Sequence, residues 1–388
     1  MGTKTKSFTS AMTGAPVLSG TVGALIAVLD AALVNGFGIA APSSVVVSGG
    51  IATATYGAGH SFEVGSVALF AGATPAGLNG EKRILTKSAT AVTFDATGIS
   101  NQTATGSISS KVAPAGWSKL YSGTNLAAYK MGSVEGTGFI LKVDDTGTTV
   151  ARVRGYEAMT DIVTGTGPFP TVAQWAAPGL WWSKSNAADT TARAWRVIAD
   201  ERGVYFFVKN AGNGSEHQGN YFGDIISLKS NDPYACVLRA NPADRSASVT
   251  AIGESLEFAD SAQVQNGLYV ARAANTLGGA VQSFQAPVMA VGLALSHATG
   301  STGWTYPSPV DNGLMLTPVL VFSAVGYRGY FPGIRYSPQL TNLAFSTGDG
   351  IAGSGDMAGK SVTVIKCGAP TAGADQGVVF MDQISDWR

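Results

Sequence analysis

"SVVVSGGIATATYGAGHSFEVGSVALFAGATPAGLNGEKRIL", residues 44–85, decides the fold class. Its opening apolar residues alternate with small and polar ones at period two, the spacing of a half-buried strand. Gly49-Gly50 stands where a two-residue hairpin turn belongs. Phe62 and Val64 lead into Gly65, and Val67 to Phe70 make a short apolar strand. "GATPAGLNGEKRI" reads as a loop punctuated by Pro75, Gly77 and Asn79-Gly80, with a strand from Arg83 to Leu85. "TAVTFDATGISNQTATGSISSKV" supplies two further strands. Residues 44–112 are thus expected to form a compact β module, a small barrel or sandwich. Its glycines are not spaced to cradle a phosphate, and His60 with Glu63 makes no catalytic set.

Before the module, residues 1–43 read as an arm with one amphipathic helix, "SGTVGALIAVLDAALVNGFG" (19–38). Ser19 or Thr21 can cap it. Leu25, Val28, Leu29, Ala32 and Leu33 form one apolar stripe, and Asn35-Gly36 offers a left-handed stop. The stripe fits packing within its own domain or docking on a neighbouring subunit. Docking makes Leu25, Val28, Leu29 and Leu33 candidate interface residues.

A boundary is expected at Ala113-Pro114-Ala115-Gly116. All seven Trp lie beyond it, so residues 113–388 are expected to hold the larger core. "RVIADERGVYFFV" reads as a hairpin with Glu201-Arg202-Gly203 near its tip, and further strand patterns follow to the end. The fold class is therefore mainly β: an N-terminal helix, a small module, then a large antiparallel β-sandwich-like domain.

Charged residues make up only 13% of the chain, about half the usual share, and the formal net charge is zero. That argues against nucleic acid, which selects a basic face. A weakly charged surface tends to associate, which suits a subunit covered by neighbours. The most apolar run, Val22 to Val34, is too short to span a bilayer and contains Asp30, so no membrane insertion is expected. No signal-peptide run follows Lys4 and Lys6. Cys236 and Cys367 match no zinc spacing and read as reduced and buried.

Motifs for chemistry are scarce. No G-x-S-x-G elbow and no P-loop occur, and "GSGDMAG" (353–359) does not open a convincing helix. His60, His217 and His297 are far apart in sequence. Asp144-Asp145 reads as a turn; Glu254, Glu257 and Asp260 read as a solvated face; Asp349 and Asp356 lack the closing Glu of a calcium loop. No catalytic residue, cofactor or metal is expected, although a structural calcium stays open. The aromatics remain. Trp175, Trp181 and Trp182 can plug a sandwich end, meet another subunit or stack on a glycan. "YRGYFPGIRY" (327–336) joins Tyr327, Arg328, Tyr330, Phe331 and Arg335 in an interface-like cluster.

Several segments resemble virion structural proteins of tailed bacteriophages: "SAMTGAPVLSGTVGALIAVLDAALVNGFG", "GHSFEVGSVALFAGATPAGLNGEKRI", "DDTGTTVARVRGYEAMTDIVTGTGPFP", "YFGDIISLKSNDPYACVL", "RGYFPGIRYSP" and the ending "DWR". The resemblance covers most of the chain. It implies a non-enzymatic subunit made in the host cytoplasm and built into the virion as a symmetric homo-oligomer among other virion proteins. A tail position is expected: baseplate, tail tip or fibre attachment, with a role in host attachment. A head–tail connector, collar or capsid-decorating protein is the alternative within that class. A glycan-binding protein or depolymerase is the alternative outside it.

Overall fold

The computed structural model describes residues 5–209, 217–242, 244, 267–287, 304–324, 326–339, 341, 344–368 and 376–388. Among the described residues the fold is mainly β, with one short N-terminal helix and three sheets whose strands pair antiparallel.

The first sheet is the small module. Its strand order is Phe37–Ala40, Ser109–Val112, Val67–Ala71, Gly80–Lys87, Ala91–Asp95, Ile51–Thr55, Ser44–Ser48 and Gln102–Thr103. Period two in the sequence becomes two faces in space: Val45 and Val47 are buried, while Val46 between them is 40% exposed. Gly49 and Gly50 have φ of 57° and 79°, the sign that a tight hairpin turn of this hand demands at both positions. In the "GATPAGLNG" loop the Asn79 amide clasps Ala73, accepting from its N–H and donating to its carbonyl, both at 2.8 Å. This clasp sets the strand start at Gly80, earlier than the Arg83 expected.

The second sheet runs Ser118–Gly123, Leu126–Lys130, Ile140–Asp144, Val150–Met159 and Gly165–Phe169, with Leu180–Ser183 also paired to Val150–Met159. The third is the largest. It starts with Lys6–Thr9 on Ala194–Asp200 and meanders through Gly203–Lys209, Gln218–Asp224, Cys236–Arg239, Leu268–Val270, Val281–Pro287, Thr317–Ser323 and Gly326–Tyr336, then Gln376–Asp382, Ser361–Gly368 and Gly350–Ala352. The large sheet curls back on itself, because the His217 N–H reaches the Lys366 carbonyl at 3.0 Å across six intervening strands.

That curl explains why "GVYFFVK" is apolar without alternation. Val204, Phe206 and Val208 face a core shared with the other sheets, while Tyr205 and Phe207 face the core inside the curl. A strand buried on both faces needs no polar side. Cys236 and Cys367 form no disulfide and are buried in these two cores, and burial pushes the Cys236 thiol well above its ordinary pKa.

The helix differs from expectation in both its cap and its partner. It runs from Ala24 to Leu29 and continues as a wider turn from Asp30 to Asn35. Neither Ser19 nor Thr21 caps it. The carboxylate of Asp145, 120 residues away, accepts the N–H of Leu25 at 2.8 Å and of Ile26 at 3.1 Å. Asp145 is fully buried and forms an ion pair with the fully buried Lys184, which also donates to the Thr21 carbonyl. Only Asp144 keeps the turn role read for the pair, accepting from Thr146. Tyr129 and Lys119 bond Asp30 at 2.7 and 2.8 Å. The apolar stripe therefore lies on the second sheet of its own chain. Leu25, Val28, Leu29 and Leu33 are fully buried there, which removes them as docking residues. The described part of this arm, residues 5–43, is likewise woven in, with Lys6 bonding Glu81 and the Pro114 carbonyl while its strand edges the large sheet.

Candidate functional site

Because the large sheet is a meander, its connections leave from two ends. At one end the connections are Asp200–Gly203, residues 225–235, residues 271–280 and the closing residues 383–388. At the other end the chain leaves Lys209, Arg239, Pro287, Tyr336 and Gly368.

The first end holds a polar cleft of about 690 Å³, lined by Glu135, Thr137, Asp224, Asp232, Tyr330 and Arg388 among others. Two of its three carboxylates, Asp224 and Asp232, are committed. Asp224 accepts from the Thr137 N–H at 3.0 Å, the Thr137 hydroxyl at 2.7 Å and Arg202 Nε at 3.2 Å. Asp232 accepts from the Ser227 hydroxyl at 2.8 Å, the Tyr234 N–H at 3.1 Å and Arg328 Nη2 at 2.9 Å. Behind the cleft, Asp200 is paired with Arg388, whose guanidinium also reaches Tyr221 and the Asp224 carbonyl. Burial raises the Asp200 carboxyl against the pull of Arg388. The Asp200 and Glu201 carbonyls accept from Trp117 Nε1 at 2.7 Å and the Gly132 N–H at 3.0 Å, which ties in the second sheet. Acids so saturated with donors hold loops in place; they are poor proton carriers.

The opposite end holds an apolar cleft of about 740 Å³ built by Trp304, Pro309, Val310, Leu314, Met315 and Gln339. The Gln339 side chain organises it, accepting from the Met315 N–H at 2.6 Å and donating to the Thr305 and Gly313 carbonyls. Trp304 is 50% exposed and Val310 92% exposed. The sequence reading missed this cleft. Its signal is "WTYPSPVDNGLMLTP", where prolines and a Gly bracket apolar residues without a strand period.

The other aromatics expected at an interface divide. Trp182 is fully buried, stacked on Phe206 and donating to the Arg239 carbonyl, so it offers no platform to a sugar or a neighbour. Trp181 is half-buried under the Arg152 guanidinium, 3.7 Å from its ring centre, with Trp175 edge-on. Tyr327, Arg328, Tyr330, Phe331 and Arg335 share the strand Gly326–Tyr336 but not a face. Phe331 is fully buried against Tyr221 and Arg328 is buried; Tyr327 is exposed, and Tyr330 and Arg335 are half-buried. Phe331 and Arg328 therefore drop out as open contact residues. Asp349 is used locally, accepting from the Ser346 N–H. His60 bridges the Ser88 carbonyl and the Phe62 N–H. His297, Glu254, Glu257 and Asp260 lie outside the described residues.

No protein-family model matches the chain, and no curated protein matches it in sequence.

Proposed function

We propose that the chain is a non-enzymatic structural subunit of a tailed-phage virion, working in symmetric copies in the tail: baseplate, tail tip or fibre attachment. The apolar cleft around Trp304 carries this reading. An exposed Trp and an almost fully exposed Val beside a pocket of this size are the makings of a protein-binding hot spot. It lies on a frame whose other end is locked by ion pairs and by backbone bonds to a second sheet. A rigid body with one adhesive end suits repeated assembly. The resemblance of the helix, module and C-terminal segments to tailed-phage virion proteins supports the same reading and supplies its setting.

Mass spectrometry of purified virions tests it. The chain is expected among the structural proteins, at a few copies per tail. Virions lacking the chain overturn the proposal; hundreds of copies move it to the head surface.

A further inference from the structure

A further cleft, of about 530 Å³, opens where the small module meets the large sheet. Ser7 and Thr9 line it from the strand Lys6–Thr9, Arg196 from Ala194–Asp200, and Ser361 and Thr363 from Ser361–Gly368. Their directions follow from register. Thr9 stands opposite Arg196 and Ser7 opposite Ile198, so they share the side on which Ile198 enters the core of the curl. Ser361 and Thr363 alternate with Val362 and Val364, so they share the side of Ile365 and Cys367, which enter the same core. The curl thus turns four hydroxyls and one guanidinium toward one space.

Arg196 is the unusual member. Arg272, Arg328 and Arg388 pair with carboxylates, and Arg83, Arg152 and Arg154 bond carbonyls; Arg196 does neither among the described residues. Burial alone lowers its pKa, with no carboxylate acting against it. The side chain is half-buried and only its Nε is enclosed, so the two terminal Nη groups meet the cleft. Glu63, the carboxylate on the cleft wall, is already paired with Lys87.

A half-buried guanidinium without a counter-charge is a costly arrangement that an arriving anion relieves. One cation matches one negative charge. That favours a carboxylate over a phosphate monoester, which carries about 1.5 to 2 near pH 7. Hydroxyls both donate and accept, the same capacity that a sugar presents around its ring. Val64 and Ile384, 60% and 41% exposed on the cleft wall, offer an apolar surface to the C–H side of such a ring.

We infer that this cleft binds an acidic sugar, its carboxylate on the Nη groups of Arg196 and its hydroxyls among Ser7, Thr9, Ser361 and Thr363. The sugar is either a free hexuronic acid or one such residue of a polysaccharide. The site is independent of the virion reading, since it rests on Arg196 and the cleft alone.

Calorimetric titration of the whole chain tests it. Glucuronate is expected to bind saturably, with glucose, acetate and phosphate each at least about tenfold weaker. Arg196→Gln should weaken glucuronate at least about tenfold. Thr363→Val keeps the charge and the branched shape; it should weaken glucuronate about threefold and move Tm by no more than about 2 °C. The second variant keeps the inference testable if the first fails to fold. A tetrasaccharide of alternating glucuronate and N-acetylglucosamine separates the sources. Binding at least as tight as glucuronate identifies a polysaccharide residue; weaker binding identifies the free acid. The inference is overturned if neither sugar binds, if glucose, acetate or phosphate matches glucuronate, or if either folded variant binds glucuronate unchanged.

Discussion

The two ends of the large sheet are built from the same strands and solved in opposite ways. At the polar end, short connections fold inward. Trp387 sits in the core of the curl, edge-on to Tyr205 and donating to the Asp382 carbonyl at 2.8 Å. Gly333 makes room for it, at φ 68°, where a Cβ would stand 2.1 Å from the Trp387 ring nitrogen. Arg388 then neutralises Asp200 under the same lid. At the apolar end, Trp304 and Val310 remain half or nearly fully exposed. One end uses its aromatic residue to finish the fold, and the other leaves its aromatic residue unspent. Stability should therefore depend on the polar end, and assembly on the apolar one.

The largest expected effect follows from Trp387. Replacing it by Ala leaves a cavity beside Tyr205 and should cost about 3–5 kcal/mol, read as a drop in the urea midpoint at unchanged slope. A loss below about 1 kcal/mol would erase the contrast between the two ends, because that is an ordinary surface value.

Acid should act from the other side of the comparison. His217 lies where the large sheet closes on itself, at the end from which Lys209 and Gly368 depart. Burial, helped by Arg196 and Lys209, lowers its pKa from 6.5 to about 4. Between those values the unfolded chain binds the extra proton and the folded chain does not. The stability contribution is therefore full above pH 6.5 and is lost as pH falls toward 4, by at most about 3 kcal/mol. Urea titrations at pH 7 and pH 4.5 should show this loss in the native chain and a smaller one in His217→Gln. Equal losses would remove His217 as the acid-sensitive group.

Asp200→Asn should cost about 2 kcal/mol, less than loss of a wholly buried pair, because Arg388 reaches the surface. Double replacement with Arg388→Met should cost less than the sum of the two single changes. Additive costs would show that the pair does not act as a unit.

The sequence made the local periods legible and the long-range partners invisible. Alternation in "SVVVS" and the glycine pair after it foretold a hairpin because both act over a few residues. The stripe Leu25–Leu33 was equally plain as a buried face. What covers it was not, since the answer is a sheet whose Asp145 and Lys184 are 120 and more residues away. Asp144-Asp145 shows the limit most sharply. The two residues look alike in sequence, yet one caps a surface turn and the other caps a helix from a buried ion pair. The cluster 327–336 failed for a related reason: a β-bulge at Arg328, between Tyr327 and Gly329, breaks the alternation, so Tyr327 is exposed and Phe331 buried although their even spacing puts both on one face of a regular strand.

The smallest expected effect on stability is the most telling one for function. Trp304→Ala removes a side chain that already has half its surface in water, so the folded chain should lose no more than about 0.5 kcal/mol. Its cleft is also organised by Gln339, which bonds three backbone groups and does not depend on the indole. If the apolar end is the adhesive one, the same change should cut incorporation of the chain into virions well beyond the change in its stability. Quantitative mass spectrometry of particles grown with the variant, normalised to the soluble pool, measures this directly. Unchanged incorporation would leave Trp304 an idle surface residue and would move the search for the assembly contact elsewhere on the molecule.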